Sequence, residues 1–114
     1  MWIFTKQGFF SIVRKKYLDQ PKPYQVRARS LQDLENLIKV AELDEEIIET
    51  PYADYFFRII ADEADLVKIF NFLQADLKYE NFKDMVGRQK DQRDKLDAYH
   101  KIWNVMYNYQ NKKQ

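Results

Sequence analysis

Four stretches in the first sixty residues carry the hydrophobic patterns of β-strands. Residues 24–29 alternate strictly between apolar and polar side chains, which is typical of a strand with one buried face. Two prolines in residues 19–23 predict a loop before that strand. Three further stretches are rich in aromatic or β-branched residues, and the last of them is almost continuously apolar, as in a central strand: 9–13, 46–50 and 54–60.

Helical periodicity follows two of these strands and returns near the C-terminus. Apolar residues recur at helical spacing over 31–41, behind Ser30 as the N-cap. A second helix is predicted to begin at Asp62, where acidic residues suit a helix N-terminus, and a third covers 96–109. Residues 87–95 contain no apolar side chain, which indicates either a solvated helix or a mobile loop.

The order of these elements predicts the fold. Residues 24–77 have the order β-α-β-β-α, which is a ferredoxin-like plait without its last strand, and the preceding strand 9–14 can fill that vacancy. We therefore predict an α+β fold, a circularly permuted ferredoxin-like plait (β-β-α-β-β-α) with a four-stranded antiparallel sheet and an additional C-terminal helix. The predicted strand order is 9–14, 24–29, 54–60 and 46–50, with a parallel central pair joined by a right-handed crossover. The alternative is two ββα units arranged differently, for example across a dimer.

Composition limits the chemistry available to this chain. Its 114 residues suit one core, with residues 1–80 as the α+β sandwich domain and 81–114 as a helical extension packed on it. The absence of Cys and the single His exclude thiolate and multi-His metal sites, and two Gly exclude phosphate-cradling glycine-rich loops. We expect no cofactor and no metal. No signal peptide or membrane span is indicated, so we expect a cytoplasmic protein without membrane association.

The candidate binding site lies on the two central strands. The strand alternation turns Arg27, Arg29 and Arg58 away from the predicted helices, next to Asp54 and Tyr55. Three guanidinium groups on one face require carboxylates, phosphates or aromatic planes as partners. This favours a binding or assembly module with an anion site for a nucleotide, phosphate or carboxylate. The alternative is internal ion pairing with Glu46, Glu49 or Asp54.

The C-terminal helix contributes a second candidate region. Tyr99, Trp103, Met106 and Tyr107 form an aromatic stripe that predicts a core contact, a cover for the arginine-bearing face, or a homodimer interface. His100 lies one step off this stripe. As an alternative function, the protein would be an enzyme on a phosphorylated or carboxylated small molecule, with His100 or Asp54 transferring protons beside the arginines.

Other partners are less favoured by the sequence. The acidic residues around 42–49 could ligate a hard cation but are more typical of a solvated helix end. No RNP-like sequence with clustered basic, glycine and aromatic residues is present, so nucleic-acid binding is not favoured. The remaining hypotheses are a small anionic ligand, a protein partner, or a purely structural homodimer.

Six stretches of the chain carry recognisable motifs: Met1–Thr5, Gly8–Val13, Val26–Arg29, Ala53–Arg58, Asn81–Lys83 and Tyr99–Trp103. Together these motifs resemble a family of small uncharacterised bacterial proteins that begin with a Met-Trp-x-Phe-like segment. The resemblance spans nearly the whole chain and implies a small bacterial cytosolic protein, with no activity attached. It also implies that the arginine strands, the Asp54-Tyr55 pair and the Tyr99-His100 pair belong to the family pattern.

Overall fold

The computed structural model describes residues 1–15 and 21–114, so the first part of the predicted loop at 19–23 lies outside the described residues. The chain divides into two compact units, Met1–Lys78 and Tyr79–Gln114. The first unit contains a five-stranded antiparallel sheet and two helices, and the second unit is helical. The α+β class is therefore confirmed.

The sheet of the first unit has the strand order β1-β2-β3-β5-β4, with every neighbouring pair antiparallel. Its predicted segments pair in the predicted order, and β1 adds a fifth strand at the edge next to β2. The elements of this unit are β1 (Trp2–Phe4), β2 (Phe9–Arg14), β3 (Tyr24–Ala28), α1 (Leu31–Ala41), β4 (Ile48–Glu49), β5 (Phe57–Ala61) and α2 (Glu63–Ala75).

The prediction of a parallel central pair is wrong. β3 and β5 are antiparallel, with Arg27 opposite Arg58 and Val26 opposite Ile59. The reason lies in the connection between them, because the chain passes through α1 and β4 and then reverses at a turn before it enters β5. The Thr50 hydroxyl donates a hydrogen bond to the Tyr55 carbonyl oxygen (2.7 Å), and the Thr50 amide donates one to the Phe56 carbonyl oxygen (2.7 Å). This turn also explains why β5 begins later than the predicted residue 54.

The core lies between the sheet and the two helices. Val26 and Ile59 from the central strands are fully buried in one cluster with Leu34 and Leu37 of α1 and Ile69 of α2. Burial of such aliphatic side chains contributes about 1.5–3 kcal/mol each. The alternate residues of β3 and β5 must therefore point to the other face of the sheet.

Side-chain caps begin both helices of this unit. The Ser30 hydroxyl accepts a hydrogen bond from the Asp33 amide (3.3 Å), which confirms the predicted N-cap of α1. At α2 the Asp62 carboxylate accepts from the Asp65 amide (2.8 Å), and the Asp65 carboxylate accepts from the Asp62 amide (3.0 Å). This reciprocal capping box satisfies two amides that the helix itself leaves unpaired.

A tight turn joins β1 to β2 and is tied to α1. Thr5 and Gly8 exchange backbone hydrogen bonds of 2.9 and 3.2 Å. The buried Asp33 carboxylate accepts from the Phe9 amide (3.1 Å) directly beside Gly8. Gly8 has φ of 157°, and a β-carbon there would collide with the Asp33 carboxyl group. The turn therefore needs glycine both for its backbone conformation and for the close approach of α1.

The second unit consists of α3 (Phe82–Arg88), a 3₁₀ helix (Arg93–Lys95) and α4 (Leu96–Lys113). Residues 87–95 are thus the end of α3, a turn and a 3₁₀ helix, rather than one solvated helix or one loop. The turn is ordered by Gln92, whose side chain is completely buried despite its polarity. α4 runs four residues past the predicted end at Tyr109. Within the described residues, no helix combines the length and apolar character that crossing a membrane requires.

We predict that Gly8→Ala destabilises the protein by about 2–4 kcal/mol, because the added methyl group must displace the buried Asp33 carboxyl and accept a strained backbone. Urea unfolding followed by circular dichroism measures this change. The control is Gly87→Ala, where a β-carbon meets the Leu96 side chain at an ordinary 3.5 Å. Gly87→Ala should leave the free energy of unfolding unchanged or increase it by about 0.5–1 kcal/mol. Equal effects at the two glycines would contradict the role of the Gly8–Asp33 contact.

Candidate functional site

The sheet face that points away from α1 and α2 carries the predicted arginines, and we call it the arginine face. The strand register places a row of side chains across it, running from the outer strand β1 to the opposite edge strand β4. Residues directly opposite each other in antiparallel strands project to the same face. The members of this row are Trp2, Ser11, Arg27, Arg58 and Ile48.

Tyr55 lies beneath two of these guanidinium groups. The guanidinium carbon of Arg27 is 4.7 Å from the centre of the tyrosine ring, and that of Arg29 is 4.3 Å from it. Tyr55 is 3% exposed, although α1 and α2 both pack on the other face of the sheet. Cation–π attraction holds each cation over the ring, at about 0.5–2 kcal/mol per contact. The two arginines therefore share one aromatic ring. We call Tyr55, Arg27, Arg29 and Arg58 the arginine–tyrosine cluster.

Arg27 is incompletely satisfied by its surroundings. One terminal nitrogen (Nη2) donates to the Ser11 hydroxyl oxygen at 2.7 Å. Its Nε atom is buried and has no hydrogen-bond partner within the described chain. An unpaired buried donor is unfavourable by about 1–3 kcal/mol, and more where the group is charged. Arg27 is thus the member of the cluster with the greatest need for an acceptor.

Arg29 is the exposed member of the cluster. Its Nη1 atom donates to the backbone carbonyl oxygen of Asp54 at 2.8 Å. The Asp54 carboxylate accepts a hydrogen bond from the Tyr55 amide at 3.0 Å and so orders the turn below the ring. The Arg29 side chain belongs to an exposed residue, so an anion in solution could reach it.

Arg58 has a different environment, because three neutral oxygens surround it. It donates to the Thr50 hydroxyl (3.2 Å), the Gln25 amide oxygen (2.9 Å) and the Tyr55 carbonyl (3.2 Å). These bonds tie β5 to β3 and to the turn that follows β4. Arg58 therefore positions the turn that carries Tyr55. It supplies positive charge to the cluster, but fewer of its N–H donors are available to a ligand than those of Arg27 and Arg29.

The predicted alternative of internal ion pairing is not what the described residues show. None of the carboxylates in residues 1–15 and 21–114 lies within salt-bridge distance of Arg27, Arg29 or Arg58. Glu49 is opposite Phe57, on the helix side of the sheet. The guanidinium groups of the cluster are therefore surrounded by one tyrosine ring and neutral oxygens, which leave their charge unneutralised, and an anion would be a better partner than either.

An aromatic edge adjoins the cluster, formed by Trp2, Phe4 and Phe9. Phe4 stacks on Phe9 with ring centres 4.6 Å apart, and Trp2 meets Phe9 edge to face at 6.0 Å. Trp2 is 69% exposed, which is unusual for the largest apolar side chain in a small unit. Phe4 was not among the predicted site residues, because β1 is too short for its three residues to reveal a strand pattern.

His100 belongs to the second unit, on α4. Its Nδ1 atom is 3.4 Å from the Lys83 ammonium nitrogen, and its ring stacks on Trp103 with centres 6.2 Å apart. The first contact connects α4 to α3, and the second lies within α4 itself. The hypothesis that His100 transfers protons beside the arginines stays a prediction.

An acidic cluster lies elsewhere on the first unit. Carboxylate oxygens of Glu45, Asp62 and Asp65 lie within 4.8 Å of one another, and the Lys22 ammonium is 2.8 Å from Glu45. Burial and, to a smaller extent, the hydrogen bond with Glu45 together raise the pKa of Asp65 to about 6. The same hydrogen bond lowers the pKa of Glu45, as does Lys22. Lys22 and the proton shared by Asp65 and Glu45 thus already neutralise much of the negative charge that would bind a cation. The sequence pointed to Glu45, but Asp62 and Asp65 join it only through tertiary packing.

Comparisons with known proteins identify no relative of this chain. No protein-family model matches the chain, and no curated protein or solved structure is significantly similar to it. The resemblance to small bacterial proteins stays a prediction, and the function has to be argued from the site itself.

We predict that stability falls as pH rises from 5 to 7.5. A carboxyl whose pKa is raised on folding binds its proton more tightly in the folded state, so the stabilisation is present at low pH and is lost as pH rises through about 6. The expected loss is about 1 kcal/mol. Asp65→Asn mimics the protonated group and should remove this dependence in urea unfolding. A variant that keeps the wild-type slope would contradict the shared proton.

We also predict that Arg58→Ala destabilises the protein by about 1–3 kcal/mol, since the Thr50 hydroxyl and the Gln25 amide oxygen lose the donor that Arg58 supplies and the Tyr55 carbonyl keeps only the Thr50 hydroxyl. Arg29→Ala removes the same charge from an exposed position and should cost less than about 1 kcal/mol. Urea unfolding of both variants tests the difference. Equal destabilisation would show that Arg58 has no special structural role.

Proposed function

We propose that this protein is a non-enzymatic binding module whose arginine face holds a small anionic molecule. The observation that carries the proposal is the arginine–tyrosine cluster itself, in which three guanidinium groups meet without a carboxylate among the described residues. We further infer that β2, β3, β4 and β5 with α1 and α2 form a circularly permuted ferredoxin-like plait. The strand order supports this inference, with β1 as an addition at the edge.

The donor inventory favours Arg27 and Arg29 as the anion-binding residues. A guanidinium carries five N–H donors. Arg58 uses three of its donors on neutral oxygens, whereas Arg27 and Arg29 each use one. A carboxylate or phosphate would accept from the free donors in a bidentate manner and would also reduce the repulsion between the cations.

The neighbouring aromatic edge suggests what the anion is attached to. Trp2 and Arg27 belong to the same row and are separated by β2, so they lie about 10 Å apart at the backbone. An exposed indole at this distance could stack on a flat ring while the arginines hold an acidic group. The proposed ligand is therefore a small molecule in which an aromatic ring is linked to a phosphate or carboxylate, such as a nucleoside monophosphate.

Binding is favoured over catalysis because the cluster lacks a group that exchanges protons at neutral pH. Arginine stays protonated in proteins. The Asp54 carboxylate is engaged with the Tyr55 amide. The alternative function, an enzyme on the same ligand class, would need His100 as its acid or base, and it stays a hypothesis.

We predict that inorganic phosphate and a nucleoside monophosphate both bind saturably and perturb the backbone amides of Ser11, Arg27 and Arg29 in ¹H–¹⁵N NMR spectra. Arg27→Gln and Arg29→Gln should each weaken both ligands by about tenfold or more, the usual effect of losing a charge-assisted hydrogen bond. Trp2→Ala should weaken the nucleoside monophosphate and leave phosphate unchanged.

The matched control is Arg14→Gln. Arg14 is also exposed, and it also lies over a tyrosine ring, at 5.8 Å from the centre of Tyr24, but outside the cluster. Its substitution should leave both affinities unchanged. The proposal fails if neither ligand saturates at millimolar concentration, or if Arg14→Gln weakens binding as much as Arg27→Gln does.

A further inference from the structure

α4 is much longer than the elements that pack on it within the second unit. α3 has 7 residues and α4 has 18, which correspond to lengths of about 10 and 27 Å. Phe82 stacks on Tyr99 with ring centres 5.7 Å apart, and the Lys83 ammonium is 5.3 Å from the centre of the Trp103 ring. These contacts involve the first half of α4, so its second half extends beyond α3.

The second half of α4 continues the same helix face with apolar side chains. Four positions follow the 4-3-4 spacing of a coiled-coil seam, with Trp103 and Val105 on its flanks, and we call them the α4 seam: Ile102, Met106, Tyr109 and Lys113. No charged residue occurs over 102–111. Ile102, Met106 and Tyr109 are 42%, 58% and 54% exposed. Such a surface lacks the charges that a solvated helix normally carries.

We propose that the α4 seam binds the α4 seam of a second copy of this chain, in antiparallel orientation. This goes beyond the proposed ligand binding and does not depend on it. The area supports self-association. Five half-exposed side chains of the seam and its flanks, at about 200 Å² each when fully exposed, would bury roughly 500 Å² per copy. The total of about 1,000 Å² reaches the lower limit of a specific but weak interface.

Charge decides the orientation. In a parallel pair the seam residue Lys113 would face the partner's Lys113, with Lys112 beside each, and the helix dipoles would align unfavourably. In an antiparallel pair Met106 packs on the partner's Tyr109, and Lys113 reaches the partner's Ile102. The antiparallel pair therefore keeps Lys112 and Lys113 of the two copies apart and lets the two helix dipoles run in opposite directions.

Sedimentation equilibrium of the full chain between about 1 and 500 µM tests the proposal in the concentration range that a small interface requires. The expected mass rises from 13.9 kDa toward twice that value. Met106→Glu should weaken dimerisation by about tenfold or more, because it buries a charge in the seam. The matched control Asn108→Glu adds the same charge on the opposite side of α4 and should leave the association unchanged.

Orientation is tested by crosslinking, which is simple because the native chain has no cysteine. We expect an oxidised equimolar mixture of the Ile102→Cys and Lys113→Cys variants to yield mainly the mixed disulfide, identified by peptide mass spectrometry. A predominance of Lys113→Cys homodimers would overturn the antiparallel arrangement. A monomer at every concentration, or a dimer that Met106→Glu leaves intact, would overturn the interface itself.

Discussion

The antiparallel pairing of β3 with β5 is the constraint on which the rest of the first unit depends. Val26 and Ile59 are directly opposite and fully buried against the helices, so their neighbours Arg27 and Arg58 are also opposite and must lie on the other face. A shift of one residue in this register would place guanidinium groups in the core, which is prohibitively unfavourable. The same burial that forms the core therefore creates the arginine face.

Two like charges placed opposite each other need compensation, and the structure provides it in two ways. Arg58 is surrounded by neutral oxygens and stabilises the turn after β4. Arg27 lies with Arg29 over Tyr55, which that turn presents to the cluster. Neither solution neutralises the charge. Both leave a positive, partly desolvated surface near the exposed Trp2, and the proposal of an anionic ligand rests on this environment.

Local patterns in the sequence predicted the parts of this arrangement that local physics controls. The alternation over residues 24–29 separates the core residues from the arginines, and Ser30 caps α1 as its position before a leucine stripe indicates. The direction of β5 was missed because strand polarity depends on how many reversals the connection makes. The strand β1 was missed because three residues are too few to show a strand pattern. The Gly8–Asp33 contact and the Asp62–Asp65–Glu45 cluster were missed because each depends on residues that only tertiary structure brings together.

The most direct test of the central claim is an NMR titration of the arginine side chains with inorganic phosphate in the native protein. If Arg27 is held over Tyr55 with its Nε–H buried and unpaired, that Nε–H signal should be protected from solvent exchange without phosphate and should shift strongly when phosphate binds. The Arg14 signal should exchange rapidly and stay in place. A rapidly exchanging Arg27 signal, or one that phosphate does not move, would contradict the account.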